Sequence, residues 1–530
     1  MPTDCISYQK SGYFTKLIVD YLDEKPELKS LYNHFPKLEN FKSQIEEKKQ
    51  NYPQENRKIL VEALENQYKG FTISQHTSNN ISALTHDNTY TITTGHQLNL
   101  FTGPLYFLYK IVSTINLCAA LKEAYPSYNF VPIYWMATED HDFEEINYFN
   151  FKNAKIKWNT LSKGPTGRLS TAGLEDVLQV FSTTLGIGDN ATYLKQLFED
   201  SYLKQDTLAA ATRFLANELF GKKGLVILDG DDKILKELFI PYVKEELLTQ
   251  KAYHQVSETN SLLKNNYETQ VNPREINLFF IEDHLRERIL FEENQYKINN
   301  SSITFSEEEI LDLLKTNPEK FSPNVILRPL YQEVILPNLC YIGGGGEISY
   351  WLQLQANFID NKIVFPMLLL RNSALLVTEK QFQKAAKLQL SWKDLFSNQQ
   401  ELFNTKTRAF SSLKIDFSEQ KEYLKKQFEK LLAIANQTDK SFAGAVKAQQ
   451  VKQIKGLENL EKRLLKAEKK VHAEKLQHIL LLQNELFPNQ GLQERKLNFS
   501  EFYHAVNGEL LGKIFQELKP LEPNFTLITL

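Results

Sequence analysis

The amino-acid sequence predicts an α/β protein, a parallel-sheet core that carries a long antiparallel α-helical coiled-coil arm. Three observations predict it. Short β-prone runs at residues 90–94, 131–137 and 224–228 alternate with helical stretches, the rhythm of strand–helix–strand units that build parallel sheets. These runs end in chemically dense turns: Gly95-His96-Gln97, then Glu139-Asp140-His141-Asp142, then Asp229-Gly230-Asp231-Asp232. Beyond Thr378 the chain becomes charged, glycine-poor helix with apolar residues on a heptad seam. The expected divisions are a core over 1–380 with a helical insertion near 158–217, an arm over 381–487, and a segment over 488–530 that returns to the core.

A chain of 530 residues exceeds what one hydrophobic core usually serves, so more than one domain is expected. Its 62 Lys plus Arg balance 65 Asp plus Glu at a formal charge of −3, which gives no basis for a nucleic-acid or membrane surface. The three cysteines, Cys5, Cys118 and Cys340, are few, odd in number and far apart, so neither a disulfide framework nor a thiolate metal site is expected. Neither a signal peptide nor an apolar run of membrane-spanning length is visible, and a cytoplasmic protein is the reading that fits.

Residues 1–85 mix charged and apolar positions at helical spacing, as in Leu17, Ile18, Tyr21 and Leu22, and read as a helical lead-in. The strand at 90–94 is expected to stop at the Gly95-His96-Gln97 turn, with a helix opening after Pro104, a residue suited to a helix N-terminus. In that helix Leu105, Leu108, Val112, Ile115 and Ala119 form the buried stripe, and Lys110 falls off it. The strand at 131–137 follows, and a right-handed crossover would bring the Gly95 turn beside the acidic cluster at one edge of the sheet. After the strand at 224–228, Pro241 is expected to kink or restart the helix that begins near Leu235. Residues 277–281 and 288–291 read as paired strands, and Ser306 with Glu309 as a capping box.

Chemistry concentrates in two places. Thr138 passes into Glu139, Asp140, His141, Asp142, Glu144 and Glu145, and ionisable groups this crowded repel one another unless a cation or a substrate compensates. The acidic turn at Asp229 is better explained as a turn former and N-cap. The second place is Arg328-Pro329 through Glu333, then Gly343-Gly344-Gly345-Gly346 and a helix expected over 347–358. Four glycines after an apolar strand could present backbone N–H groups to an anion, though neither a Walker lysine nor the dinucleotide glycine spacing is present. Glu347 and Tyr350 would share one face of that helix.

In the arm, Phe417, Leu424, Leu431 and Ile434 form one expected seam, opened by an Asp416-x-x-Glu419 start signal. After a polar break at 436–439, Leu457, Leu460, Leu464, Ala467 and Val471 form the second. Two helices joined this closely fold back as an antiparallel pair whose leftover apolar surface suits a second copy of the chain. His472 and His478 read as surface residues.

The segments Thr94-Gly95-His96-Gln97 with 101–106, 135–147 and 328–351 resemble the cysteine-adding ligases of bacillithiol synthesis, and the order of Rossmann-like parallel-sheet core, coiled-coil arm and C-terminal return extends the likeness over essentially the whole chain. His96 stands where that family commonly has Gln, and Gly345 where it commonly has Pro. The resemblance implies amide formation between L-cysteine and glucosaminyl-malate. Amide formation needs an activated carboxyl, so ATP is the expected co-substrate and Mg a further candidate, and the leftover apolar surface of the coiled coil is expected to hold a homodimer. The core is remotely similar to class I aminoacyl-tRNA-synthetase-type folds, a likeness of fold alone. Expected catalytic residues are His96, Asp140, His141 and Asp142. Expected substrate-binding residues are Gly95, Gln97, Glu139, Arg328, Glu333, Gly343, Gly344, Glu347 and Tyr350, with no metal ligands. Two other readings stand beside it: a metal-dependent hydrolase using Asp140, His141 and Asp142, and a non-catalytic coiled-coil assembly protein.

Overall fold

The computed structural model describes residues 6–506 and 508–530, so Cys5 lies outside the described residues. Strand β1 (Thr89–His96) runs two residues past its expected end, because Gly95 and His96 continue the ladder opposite Trp135 and Met136. Gly95 is required by proximity: a Cβ there would come 3.1 Å from the Tyr341 hydroxyl. Helix α1 (Tyr106–Ala124) opens just after Pro104 and is buried on nearly every side, so Lys110, expected off the buried stripe, is itself buried. Strand β2 (Asn129–Met136) pairs in parallel with β1 and with β3 (Val226–Asp229). β3 starts two residues late because Gly224 sits at φ +81°, closing the turn before it. The insertion between β2 and β3 holds a short hairpin (Tyr148–Phe151 with Ala154–Lys157) and three helices, Leu174–Leu185, Asp189–Tyr202 and Leu208–Phe220.

A second, antiparallel sheet follows: β4 (Leu278–Glu282), β5 (Leu285–Glu292), β6 (Gln295–Ile298), β7 (Thr304–Phe305) and β8 (Phe321–Pro323), in the order β7-β6-β5-β4-β8. The sequence reading anticipated only its central pair. The Ser306–Glu309 capping box is present, and Pro241 restarts a helix at Ile240 as expected. Next come α2 (Arg328–Ile335), β9 (Asn338–Gly343) and α3 (Gly345–Trp351). The single helix expected over 347–358 is two, because the chain breaks at Gln353, whose Oε1 accepts the N–H groups of Gln270 and Val271, before resuming over Gln355–Asp360. Strands β10 (Met367–Leu370) and β11 (Ala374–Val377) complete the core.

The main sheet has the order β10-β9-β1-β2-β3, all parallel. The ends of β1 and β2 therefore meet, as expected, but at the centre of the sheet rather than an edge. There the chain, having run β1 to β2 to β3 in one direction, resumes on the other side with β9 and β10. This is the topological switch point at which open α/β sheets leave a crevice.

The arm consists of α4 (Ser418–Ala435) and α5 (Lys440–Val471), which run antiparallel and are pinned by Lys421 to Glu461 at 2.9 Å. α6 (Ala473–Leu486) returns toward the core, burying Ile479, Leu482 and Leu486. The expected seams are partly displaced: Leu431, Ile434, Leu460 and Val471 are 46, 57, 52 and 71 % exposed. Phe417, Leu424, Leu457 and Leu464 of the expected seams are covered, joined by Phe428, Leu432 and Ala435 on α4 and by Val446 and Ile454 on α5. Leu424 to Ala435 and Val446 to Leu457 each span eleven residues, whereas Phe417 to Leu424 and Leu457 to Leu464 keep the seven-residue spacing, so the covered face follows a mixed period. Asp416 caps Ser418 N–H at 2.9 Å, while Glu419 pairs with Lys414 instead of closing a capping box. Finally β12 (Asn524–Thr529) returns to pair with β11 and with the short Ile6–Ser7 strand, as the closing strand was expected to do.

Candidate active site

A cleft of about 710 Å³ lies over the carboxyl ends of β1, β2 and β9, with β4, β5 and β8 as its opposite wall. Seven basic side chains line it, Lys110, Arg274, Arg286, Arg288, Arg328, Arg371 and Arg495, against the three acids Glu139, Asp140 and Glu347.

The centre of the floor is an ion pair that crosses from α1 to α3. Lys110 Nζ lies 2.5 Å from Glu347 Oε2 and donates to the Gly95 carbonyl at 2.7 Å. Glu347 also accepts the Tyr341 hydroxyl at 2.7 Å and the Gly344 N–H at 2.8 Å. Burial pushes the Glu347 carboxyl up, but the Lys110 ammonium and these hydrogen bonds hold it below the usual carboxylate range. Burial conversely draws the Lys110 ammonium below its ordinary value, with Glu347 opposing.

This arrangement revises the glycine-loop reading. Gly344 and Gly345 stand where the loop enters α3, and none of the four glycines 343–346 takes a left-handed φ, so the alternating conformation of an anion nest is not formed. The Gly344 N–H is occupied by the chain's own Glu347. A Cβ on Gly343 would meet Glu347 Cβ at 2.9 Å, which explains that glycine by crowding.

Arg328 and Tyr350 meet as expected. Arg328 Nη2 donates to Tyr350 Oη at 3.2 Å and Nη1 to Gln332 Oε1 at 3.0 Å, and the guanidinium faces the Tyr341 ring at 5.6 Å. No carboxylate pairs with Arg328 among the described residues, so its charge faces the cleft uncompensated. Glu333 lies elsewhere. It is buried, 3.0 Å from Lys48 Nζ, accepts from Asn338 and Gln332, and does not line the cleft, which is a structural role one hydrogen-bonded neighbour behind Arg328.

The acidic cluster splits. Glu139 is buried and pairs with Lys236 at 2.7 Å, and Lys236 also holds Asp231 at 2.9 Å, which in turn takes Arg168 at 2.8 Å. The second acidic turn thus supplies counter-charges that lock the insertion against the sheet, while Asp232 caps the following helix. Burial raises the Glu139 carboxyl, with Lys236 opposing. Asp140 lines the cleft and accepts Gln97 Nε2 at 2.7 Å. His141 is half exposed, its Nδ1 2.7 Å from Arg286, and burial together with that guanidinium keeps its pKa low. Neither His141 nor Asp142 lines the cleft, and Asp142 is exposed. His96 is buried against Tyr106 and Phe107, and its Nε2 has no partner. Burial, then Lys110 and Arg371, depress its pKa well below 6.5, so the imidazole is neutral.

Sequence reasoning passed over Lys110, Arg274, Arg286, Arg288, Arg371 and Arg495. Some signals were present: a lysine within the apolar first turns of a helix, an arginine directly after the apolar strand β10, and Arg286 with Arg288 two apart on one strand face.

A parallel sheet with a charged crevice at its switch point, joined to a helical hairpin arm, defines a Rossmann-like enzyme core with a coiled-coil domain. Residues 1–372 match the family model described as bacillithiol biosynthesis BshC, N-terminal Rossmann-like domain, and residues 374–530 match its C-terminal coiled-coil domain, so the chain belongs to the bacillithiol biosynthesis BshC family. The chain is 65 % identical to a protein of Flavobacterium psychrophilum over 100 % of this chain and 99 % of that one. It is 63 % identical to one of Flavobacterium johnsoniae over 100 % of both, and 56 % identical to one of Christiangramia forsetii over 100 % and 99 %. All three relatives bear the name "Putative cysteine ligase BshC".

Proposed function

We propose that this chain is a carbon–nitrogen ligase of the cytoplasm that joins the carboxyl of L-cysteine to the amino group of glucosaminyl-malate, with ATP activating the carboxyl. The names of its relatives support the cysteine ligase class, and one observation carries the choice of substrates. Seven basic and three acidic side chains line a single cleft, several of the arginines without a protein counter-ion. Glucosaminyl-malate brings two carboxylates, cysteine a carboxylate and an ammonium, and ATP a polyphosphate, so all three ligands are complementary to such a lining.

Activation transfers a phosphoryl or adenylyl group of ATP to a cysteine carboxylate oxygen. The glucosamine nitrogen then attacks the activated carbon, the C–N bond forms, the C–O bond to the phosphoryl or adenylyl group breaks, and the nitrogen gives up a proton. In this reading Arg328 and the arginines of the β4–β5 wall hold anionic groups, and Glu347, fixed as a carboxylate, faces the ammonium of cysteine. Asp140, oriented by Gln97, is placed to take the proton. Neutral His96 cannot add a further cation to the floor. Mg²⁺ would enter with the nucleotide phosphates, its usual mode. Among the described residues no three His, Cys, Asp or Glu side chains gather to hold a metal ion. Asp140 turned to Gln97 and His141 turned to Arg286 also speak against the metal-hydrolase reading.

Incubating the purified protein with glucosaminyl-malate, cysteine and ATP, and following products by mass spectrometry, tests the proposal. The condensed thiol is expected only when all three are present. Its absence with folded protein would reject the reading.

A further inference from the structure

The segment Gln493–Arg495 forms one turn of 3-10 helix within the coiled-coil part of the chain, and its three residues divide their work. Gln493 and Glu494, 2 and 1 % exposed, are clipped to β11 and to the loop before it. Gln493 accepts the Leu376 N–H at 2.9 Å and donates to the Leu376 carbonyl at 3.0 Å. Glu494 accepts from Arg371 Nη2 at 2.7 Å, Ser373 Oγ at 3.1 Å and the Ala374 N–H at 3.2 Å. Arg495, immediately after them, is exposed and lines the cleft, and among the described residues its side chain has neither a carboxylate nor a hydrogen-bond partner.

Arg371 lines the same corner. Its Nη1 donates to the Asn372 carbonyl and Ser373 Oγ and its Nη2 to Glu494, its Cζ lies 5.1 Å from the centre of the Tyr106 ring, and its buried Nε has no acceptor. Gly344 leaves that edge open, since even a Cβ there would stay 3.8 Å from Nε. A guanidinium fixed by three hydrogen bonds, with its buried Nε still unpartnered, therefore lines the same cleft as a partnerless one that the buried clip carries there. Tyr106 lines the cleft with both arginines.

We infer that Arg495 and the Nε edge of Arg371 form an anion clamp, supplied jointly by the two domains, that takes a carboxylate or phosphate group of the substrate. The ligand identities rest on the ligase reading; the clamp itself rests on the geometry. A substrate bound there would bridge core and coiled-coil segment, so the second domain would complete the site rather than merely support it.

The test is calorimetric titration of the full-length protein with glucosaminyl-malate, malate, ATP and inorganic pyrophosphate, comparing wild type with Arg495→Ala and with Gly344→Ala, which narrows the approach to Nε. Loss of one charge-assisted contact is expected to weaken one ligand class roughly tenfold to a hundredfold while the other changes by less than about twofold. Weakening confined to glucosaminyl-malate and malate assigns the clamp to a carboxylate; weakening confined to ATP and pyrophosphate assigns it to a phosphate. Unchanged binding of all four in Arg495→Ala, equal weakening of both classes, or no binding of any probe by wild type overturns the inference. Absence of ligase product alongside selective weakening would reject the ligase reading and leave the clamp. Product formation alongside unchanged binding would do the reverse.

Discussion

Replacing Glu347 by Gln removes the only carboxylate that, among the described residues, pairs with Lys110, a lysine 3 % exposed. The amide keeps the shape and one acceptor, so the loss is chiefly that of charge. Uncoupling a buried ion pair by removing one partner costs about 3–5 kcal/mol, because the remaining charge stays in a site that water does not solvate. The core matched by the family model spans 372 residues, and at about 2.1 cal/mol/K of unfolding entropy per residue it has ~0.8 kcal/mol/K at its midpoint. The variant should therefore melt about 4–6 °C lower by calorimetry. Because the cost comes from a stranded ammonium, Lys110→Met in the same chain should recover most of it, so the double variant should be more stable than Glu347→Gln alone. A melting temperature unmoved by Glu347→Gln, or a double variant less stable than the single, would refute the argument that Lys110 and Glu347 form one buried unit.

Asp140→Asn should reduce turnover about 10²–10⁴-fold if Asp140 takes the amine proton, whereas His141→Ala, outside the cleft lining, should lower it far less; equal losses would remove that distinction. His96 binds its proton in the fold only well below 6.5, whereas the unfolded chain binds it near 6.5. Its contribution is thus fully present above 6.5 and is lost, at up to about 1.4 kcal/mol per pH unit, as pH falls below that value. His96→Phe should flatten the decline of melting temperature between about pH 6.5 and about pH 5, and identical slopes would contradict the assignment. For the arm, Leu431→Glu with Ile434→Glu places charges on exposed apolar positions that a homodimer would cover. Light scattering should then report a monomer, and an unchanged dimer mass would exclude this face.

Strand β10 of the parallel sheet was not anticipated, whereas the other four, β1, β2, β3 and β9, were legible because buried parallel strands are short continuous apolar or β-branched runs. Their exact ends were not, since Gly95 and His96 extend β1 only by pairing with Trp135 and Met136, which are forty residues distant in sequence. The antiparallel sheet was mostly missed because β6, β7 and β8 are two to four residues long and carry little periodicity of their own. The arm's existence was plain, yet its buried face was not, because Leu431 and Ile434 fit a heptad as well as Phe428 and Leu432 fit an eleven-residue spacing. Gly95, His96, Gln97, Glu139, Asp140, Arg328, Gly344, Glu347 and Tyr350 were found from chemically dense turns at strand ends, the glycine run and the helix-face spacing after it, and the structure brings them to one cleft. Glu333 was chosen for its nearness to Arg328 in sequence, but an α-helix turns successive residues to different faces, and Glu333 points toward Lys48. Lys110, Arg371 and Arg495 converge from three distant segments, which no local pattern announces.

The most direct measurement of the central claim follows the carboxyl oxygens of cysteine. With glucosaminyl-malate, ATP and cysteine labelled with ¹⁸O in its carboxyl group, activation requires that one labelled oxygen leave with the phosphoryl or adenylyl group when the amide forms. The account predicts one ¹⁸O in the released AMP or inorganic phosphate for each thiol product formed, with loss of both in Arg328→Ala. Thiol product formed with no label in either would contradict activation of the cysteine carboxyl in this cleft.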